Sequence, residues 1–179
     1  INQGTGTLAN RIDGISAGEL LGNGSPFLGS AGNFYIRSQL ADVGGVVDAG
    51  RLIVASRAGA ILGEATGNAA SEFFGSSLQF VGSDIWVTAT GHSNGAGGIF
   101  ALANQDLGSG QIIRHALLGG APGDALGSFG FSFIDSDRVL VRVPLADVGG
   151  VVDAGSALMV NTSLQLLGRT DGTSVNELY

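Results

Sequence analysis

Internal repetition constrains the fold of this chain more than any other feature of its sequence. The stretch LADVGGVVDAG occurs at 40–50 and again, letter for letter, at 145–155. A second phrase occurs in four versions, at 5–22, 58–75, 109–127 and 162–179. Their last residues, Gly22, Gly75, Gly127 and Tyr179, follow one another every 52 or 53 residues. A repeat of about this length predicts a solenoid, a propeller or an array of small units.

The repeats divide the chain into similar blocks. We predict a single repeat domain over residues 1–179, with repeats at about 5–57, 58–108 and 109–161 and a partial fourth unit at 162–179. The middle repeat carries the shorter loop HSNGAG in place of ADVGGVVDAG. This alignment places His92 at the position of Ala41 and Ala146.

Each repeat contains four predicted strands. In the middle repeat they are Ala60–Ala65, Ser76–Val81, Ile85–Ala89 and Gly98–Ala103. The third and fourth strands are nearly continuous apolar runs, IWV and IFALA here and VLVRV and ALMV in the next repeat, which predicts burial on both faces. The 32 glycines supply tight turns between short strands. The sequence therefore predicts an all-β fold of three four-stranded antiparallel units.

The repeated block also resembles a known family. The stretch FFGSSLQFVGSDIWVTATGHSNGAGGIFAL resembles an FG-GAP repeat, the blade unit of integrin-α-type β-propellers and of bacterial surface proteins. GGAPGDALGSFGFSF is similar to the bacterial members, and the resemblance covers essentially the whole chain. It implies FG-GAP-like blades that form a partial or oligomer-completed β-propeller. The alternative is an open β-repeat stack.

The resemblance also suggests where a metal would bind. Many FG-GAP blades carry a calcium loop of the type Asp-x-Asp-Gly-Asp, and the matching segments here are 30–33, 81–84 and 134–137. Only Asp135 and Asp137 could contribute ligands, and two carboxylates are short of the roughly six to eight oxygens that calcium prefers. We therefore expect no cofactor, with Asp135 and Asp137 as the ligands if calcium binds.

Three blades do not make a ring. A closed propeller needs about four to eight blades. Three alternatives follow: the chain is part of a longer chain, several chains complete a ring, or the repeats do not close. The sequence starts at Ile1, without Met or a signal peptide, which fits a processed chain or a fragment. Three blades would leave apolar faces and strand edges exposed. This predicts self-association, which gives filaments where head-to-tail contacts do not close and can proceed by strand addition.

Composition limits the possible partners. The formal charge is −7 and the chain has no lysine, which argues against a nucleic-acid partner. Cysteine is absent, so there is no disulfide or thiolate metal site. No apolar run approaches the roughly 20 residues of a membrane span. This acidic, lysine-free composition favours an extracellular or cell-surface location.

Few residues suggest catalysis. His92 with Asp84 is the one faint acid–base pair, and His115 and Asp106 are the other candidates. No histidine recurs between repeats, so we interpret both as surface or hydrogen-bonding residues. We interpret the four acids of the duplicated loop as turn caps rather than ligands; they are Asp42, Asp48, Asp147 and Asp153.

Aromatic and arginine side chains remain as ligand candidates. Phe34, Tyr35, Trp86 and the phenylalanines at 129–133 fall in strands and are predicted to pack in the core rather than to form a sugar platform. Trp86 aligns with Tyr35 and Leu140, so no aromatic recurs in every repeat. Three arginines that interrupt apolar strands, Arg37, Arg138 and Arg142, are predicted to pair with aspartates.

These observations favour a non-enzymatic extracellular structural or adhesive protein that acts by self-assembly. It would be a filament or surface-layer subunit with strand pairing between subunits. The alternative is a lectin-like or protein-binding β-propeller module of a larger surface protein. The expected partners are further copies of the chain, or a cell-surface protein or glycan.

Overall fold

Three antiparallel sheets account for nearly all regular structure. The computed structural model describes residues 11–23, 26–29, 31–103 and 113–175. Sheet 1 contains β1 Phe27–Leu28, β2 Phe34–Ser38, β3 Arg51–Ala55 and β4 Ile61–Thr66. Sheet 2 contains β5 Phe74–Val81, β6 Asp84–Ala89, β7 Gly98–Ala103 and β8 Ile113–Leu118. Sheet 3 contains β9 Phe131–Phe133, β10 Arg138–Val143, β11 Ser156–Asn161 and β12 Leu166–Asp171.

All three sheets are open meanders. Strands follow chain order across each sheet, every pair is antiparallel, and no sheet closes on itself. The prediction of an all-β chain with three four-stranded antiparallel units is confirmed. The described helix is a single turn, α1 His92–Gly95, in which Ser93 and Asn94 adopt left-handed backbone angles.

The sheets are offset from the repeats in the sequence. The strand predicted at Ala60–Ala65 was assigned to the middle repeat, but β4 pairs with β3 and completes sheet 1. A short turn joins β3 to β4, with the N–H of Gly59 donating to the carbonyl of Ser56 at 2.9 Å. In the same way β12, from the unit at 162–179, completes sheet 3. Residues 5–10, 109–112 and 176–179 of the repeated units lie outside the described residues.

Two apolar layers hold the sheets together. One lies between sheets 1 and 2 and contains Tyr35, Leu52, Phe74 and Phe100. The other lies between sheets 2 and 3 and contains Trp86, with valines of β10 among its partners. Sheet 2 therefore contributes to both layers, and every residue of β6 and β7 is buried, which confirms the predicted burial on both faces there.

Sheet 3 differs from this prediction. Burial alternates along β10 and β11, so the runs VLVRV and ALMV are covered on one face only. The prediction of two-sided burial was wrong for this repeat, because among the described residues only sheet 2 packs against sheet 3. Leu140 and Met159 lie on its other face and are half-buried.

The aromatic residues divide between core and surface. Tyr35 and Trp86 are buried and make edge-to-face contacts across the two layers, with Phe80 at 5.0 Å and with Phe131 at 5.2 Å. Core packing is thus confirmed for Tyr35 and Trp86. It is wrong for Phe34, Phe129 and Phe133, which are exposed because they lie on the outer face of sheet 1 and in or beside the edge strand of sheet 3.

Candidate functional site

The two copies of the duplicated loop have the same structure. In the first copy, the carboxylate of Asp42 accepts the backbone N–H of Asp48 at 2.9 Å, and Asp48 has φ 52°. In the second copy, Asp147 accepts the N–H of Asp153 at 2.9 Å, and Asp153 has φ 51°. The turn-cap interpretation is therefore confirmed for Asp42 and Asp147. It was wrong for Asp48 and Asp153, which occupy the left-handed position of the turn instead.

The short middle loop occupies the same place as the two long ones. In each loop the closing glycine donates its N–H to the carbonyl of the opening residue at 3.0 Å; the pairs are Gly50 with Ala41, Gly97 with His92 and Gly155 with Ala146. The predicted alignment of His92 with Ala41 and Ala146 is confirmed. Strand pairing also confirms that Tyr35, Trp86 and Leu140 are equivalent, since they lie opposite Val54, Ala101 and Met159.

A buried acid recurs in the three segments that lead into the sheets. Glu19, Glu72 and Asp124 each lie three residues before Gly22, Gly75 or Gly127. One carboxylate oxygen of each acid accepts two backbone N–H groups of its own segment, from Ile15 and Ser16, from Asn68 and Ala69, and from Gly120 and Ala121. We call these three places the first, second and third junctions. The acids are only 2%, 4% and 7% exposed.

At the first two junctions the other oxygen of the acid meets a nitrogen donor. Oε1 of Glu19 lies 2.7 Å from Nε of Arg51, which is itself buried. Oε1 of Glu72 lies 2.8 Å from Nδ1 of His92. Burial raises the pKa of Glu19, but hydrogen bonds from Ile15, Arg51 and Ser16 outweigh it, so this pKa lies below its ordinary value. The first two junctions therefore resemble each other in chemistry although the partner residue differs.

The third junction has no such partner among the described residues. Ala146 occupies the position of His92, and Ser156, which follows the closing Gly155, occupies the position of Arg51. Oδ2 of Asp124 accepts N–H groups at 2.7 and 2.9 Å, but no described residue donates to its Oδ1. Among the described residues the fully buried side-chain atoms without a partner are Nε1 of Trp86 and Oγ1 of Thr88, so Oδ1 of Asp124 keeps contact with solvent. This acid differs from its two counterparts, whose second oxygens bond to Arg51 and His92.

A cavity of about 430 Å³ lies beside Asp124. Its lining comes from β8 of sheet 2, from β10, β11 and β12 of sheet 3, from the segment between the two sheets and from the β10–β11 loop, and most of the lining residues are apolar. They are Leu117, Leu118, Gly120, Ala121, Asp124, Leu126, Val143, Ala146, Asp147, Ser156, Leu158, Leu166 and Arg169.

Smaller side chains explain why the cavity is at this junction. At the second junction the rings of Phe74 and Phe100 lie 6.1 Å apart, and the ring of His92 lies 5.3 Å from that of Phe100. The third junction has Leu126, Leu158 and Ala146 at these three positions. Replacing two phenylalanines and a histidine by two leucines and an alanine leaves space between the sheets.

The one basic residue in the lining is already paired. Nη2 of Arg169 donates to the hydroxyl of Ser156 at 3.0 Å, and its Nε forms an ion pair with Asp171. Ser156 donates to Asp171 at 2.6 Å. The Ser156 hydroxyl and the Arg169 guanidinium lower the pKa of Asp171. The charge of Arg169 is therefore balanced locally, while Asp124 and the exposed Asp147 leave the cavity with negative charge.

The predicted acid–base pair is not assembled. His92 bonds to Glu72, while Asp84 lies 3.7 Å from Arg114. His115 is exposed on β8, and Asp106 lies outside the described residues. The interpretation of His92 and His115 as hydrogen-bonding and surface residues is confirmed. In the described part of the chain no three histidines and acids come together as metal ligands.

The two predicted calcium ligands lie in a turn before β10. Asp135 accepts the N–H groups of Asp137 and Arg138 at 3.0 and 2.8 Å and the Nε of Arg138 at 2.7 Å. Asp137 accepts the hydroxyl of Thr162 at 3.0 Å. The Arg138 side chain and these two N–H groups lower the pKa of Asp135 to about 2. Both oxygens of Asp135 and one oxygen of Asp137 are thus bonded to protein donors.

Only one of the three strand arginines pairs as predicted. Arg138 forms its ion pair with Asp135. Arg37 was predicted to pair with an aspartate, but its Nη1 donates to the carbonyls of Gly75 and Ser76 at 3.3 and 2.5 Å. That prediction was wrong because Arg37 faces the backbone at the start of sheet 2. The described contacts give Arg142 no aspartate partner.

Comparison with known proteins assigns no family. No protein-family model matches the chain, and no curated protein is significantly similar to it. Within the described residues no helix has the length and apolar character needed to cross a membrane.

Proposed function

We propose that this chain is a non-enzymatic structural or adhesive module that acts outside the cell or on its surface by associating with further copies of itself. In this proposal the three sheets are FG-GAP-like blades of a partial β-propeller. A second copy covers the strand edges that one chain leaves open. The observation that carries the proposal is a set of exposed apolar residues at the same position in three edge strands.

The last strand of each sheet is an edge. β4, β8 and β12 each pair with one strand only among those described. Large apolar residues at the start of these strands are between 44% and 56% exposed; they are Ile61 and Leu62 in β4, Ile113 in β8, and Leu166 and Leu167 in β12. An apolar edge with unpaired N–H and C=O groups is a template for another strand.

Charged residues do not protect these edges. Each of the three strands contains a charged residue that is neutralised within the chain. Glu64 lies 3.1 Å from Arg51, Arg114 lies 3.7 Å from Asp84, and Arg169 pairs with Asp171. None of the three strands contains proline. The devices that usually prevent edge pairing are therefore weak here.

A second copy is the partner that fits best. One chain presents three similar edges, so an edge of one copy can pair with a different edge of the next. Contacts between unlike edges do not close after two copies and lead to chains or rings. Only 13% of the residues are charged, which lowers the electrostatic cost of such contacts.

Sedimentation velocity and negative-stain electron microscopy test the proposal. The wild type is expected to form oligomers or fibres whose size grows with concentration. The double variant Leu62→Lys/Leu167→Lys is expected to raise the dissociation constant at least about tenfold, because the charges oppose edge pairing.

The matched control is Val47→Lys/Val152→Lys. These valines are 57% and 58% exposed, so the control removes as much apolar surface and adds the same charge, but in the duplicated loops. It is expected to assemble like the wild type. A wild type that stays monomeric at all concentrations, or a control that dissociates as much as the edge variant, would contradict the proposal.

A further inference from the structure

We propose that the cavity at the third junction binds a small organic cation, an amidinium or guanidinium group on a flat apolar body, with Asp124 as its counter-ion. This inference does not rest on self-association, because Asp124 carries it and ligand binding measures it; Leu166 alone belongs both to the β12 edge and to the cavity lining.

The molecule contains two completed versions of the same arrangement. At the first junction the buried acid meets the guanidinium of Arg51, and at the second it meets the imidazole of His92. Both partners are planar groups whose N–H donors lie on an apolar stem. The third junction keeps the buried acid and its two backbone N–H bonds but has Ser156 and Ala146 in place of these partners. A ligand with a planar N–H cation would supply the missing group.

The oxygen of Asp124 that has no protein donor gives this ligand its affinity, because a bound cation can donate to it inside a mostly apolar cavity. Asp124 is 7% exposed, and its Oδ1 has no donor among the described residues. A hydrogen bond from a charged donor to such an oxygen is stronger than one between neutral groups. Neutral isosteres of the ligand would leave the carboxylate without a counter-ion, so charge determines selectivity.

The rest of the cavity determines the shape of the ligand. Its volume of about 430 Å³ falls in the range of sites for small molecules. Apolar walls formed by Leu117, Leu126, Val143 and Leu158 would contact a flat ring. Asp147 at the exposed side adds negative potential, while Arg169 is held by Asp171 and Ser156. The walls thus favour an aromatic amidine over a small hydrophilic amine.

Calorimetric titration with benzamidine and with benzamide, its neutral isostere, tests this inference. The wild type is expected to bind one benzamidine per chain and to bind benzamide about tenfold more weakly, since one charge-assisted hydrogen bond is worth about that factor. Equal binding of both compounds, or no saturable binding of benzamidine up to about 10 mM, would overturn the proposal.

Two variants locate the site. Asp124→Asn keeps an oxygen for the N–H groups of Gly120 and Ala121 but removes the charge, so its affinity for benzamidine is expected to fall about tenfold, to that of benzamide. Ala146→His/Leu158→Phe installs two residues of the second junction and is expected to abolish binding of both compounds by filling the cavity. This second variant decides the question if the first does not fold.

A control separates this inference from the rest. Asp135→Asn removes an acid in the turn before β10, away from the cavity lining, so it is expected to bind benzamidine as the wild type does. Unchanged binding in Ala146→His/Leu158→Phe would place benzamidine elsewhere and overturn the assignment.

Discussion

At the scale of single residues, short acidic side chains that bond to nearby backbone shape much of this protein. Asp42 and Asp147 cap the duplicated loops, and Asp135 caps the turn before β10. In each case one carboxylate replaces backbone partners that a loop cannot supply. The same chemistry, moved into the interior, produces the junction acids Glu19, Glu72 and Asp124.

Asp135 gives a prediction about pH. Its pKa is about 2, against an ordinary 3.8, chiefly because of the Arg138 side chain. A lowered pKa means that the carboxylate contributes stability above about pH 4 and that this contribution is lost as pH falls toward 2. In Arg138→Gln the pKa of Asp135 is expected to rise toward 3.8. Carbon-detected NMR titration of the carboxyl group measures it.

Arg142→Gln is the matched control for this titration. Arg142 lies in the same strand, and its substitution is expected to leave the titration of Asp135 unchanged. A pKa that stays near 2 in Arg138→Gln would show that backbone N–H groups alone stabilise this carboxylate.

The sequence predicts the role of the aspartates in the loops better than that of the junction acids. Asp in a Gly-rich loop predicts a turn cap, because the required bond is local. The junction acids were not singled out, although one acid precedes each glycine by three residues. The acid changes from Glu to Asp between junctions. The partners of Glu19 and Glu72, Arg51 and His92, lie 32 and 20 residues further along the chain. The cavity depends on three such distant positions at once.

At the scale of elements, glycines let the loop of one sheet contact the start of the next. Gly50 and Gly97 have φ 81° and 82°. A Cβ on Gly50 would lie 2.2 Å from the carbonyl oxygen of Phe74, and one on Gly97 would lie 2.3 Å from that of Leu126. The N–H groups of Phe74 and Leu126 donate to Ala49 and Ala96 at 3.0 Å, which fixes these contacts.

Gly50→Ala tests the importance of this contact. Alanine at positive φ costs about 1–2 kcal/mol, and the clash with Phe74 adds about 1–3 kcal/mol because the backbone must move. The control is Gly44→Ala, where φ is 61° but nothing lies within 4 Å of the added Cβ. Urea unfolding should therefore show a larger loss for Gly50→Ala. Equal losses would mean that sheet 1 and sheet 2 adjust freely at this point.

The strands themselves were largely predictable, but their grouping was not. Apolar runs such as IWV and IFALA gave β6 and β7 because burial on two faces leaves a continuous pattern. The repeat length, however, gives the spacing between equivalent strands and does not tell which strand begins a sheet. Whether Ile61–Thr66 begins one sheet or ends another depends on hydrogen bonds to β3, which the repeat alone does not specify.

At the scale of the whole molecule, sheet 2 is the centre. Within the described residues, sheet 3 has one uncovered face, whereas β3 of sheet 1 is buried on both faces. Each apolar layer joins only neighbouring sheets. Stability in such a stack is approximately a sum of terms for each sheet and each interface. Sequence repetition indicates this stacking, but it does not specify how many neighbours each sheet has. The burial predicted for sheet 3 was therefore too high.

Equivalent positions in the sheets should therefore differ in their effect on stability. Trp86→Ala is expected to destabilise the chain by about 3–5 kcal/mol, because Trp86 is fully buried between sheets 2 and 3. Leu140→Ala, at the same position in sheet 3, is expected to cost about 1–2 kcal/mol because it is half-buried. Urea unfolding of dilute protein measures both. A loss for Leu140→Ala as large as that for Trp86→Ala would indicate that another surface covers this face.

The offset between repeats and sheets has a practical consequence for anyone who dissects this protein. Fragments cut at residues 57 or 108, where the repeats defined from the sequence meet, would separate β4 from β3 and β8 from β7. Expression boundaries between Thr66 and Phe74, or between Leu118 and Phe131, keep each hairpin whole. Duplication of a repeat with the boundaries seen in the sequence would place, at the start of each new repeat, the last strand of the preceding sheet. Each added repeat would therefore be hydrogen-bonded to the sheet before it.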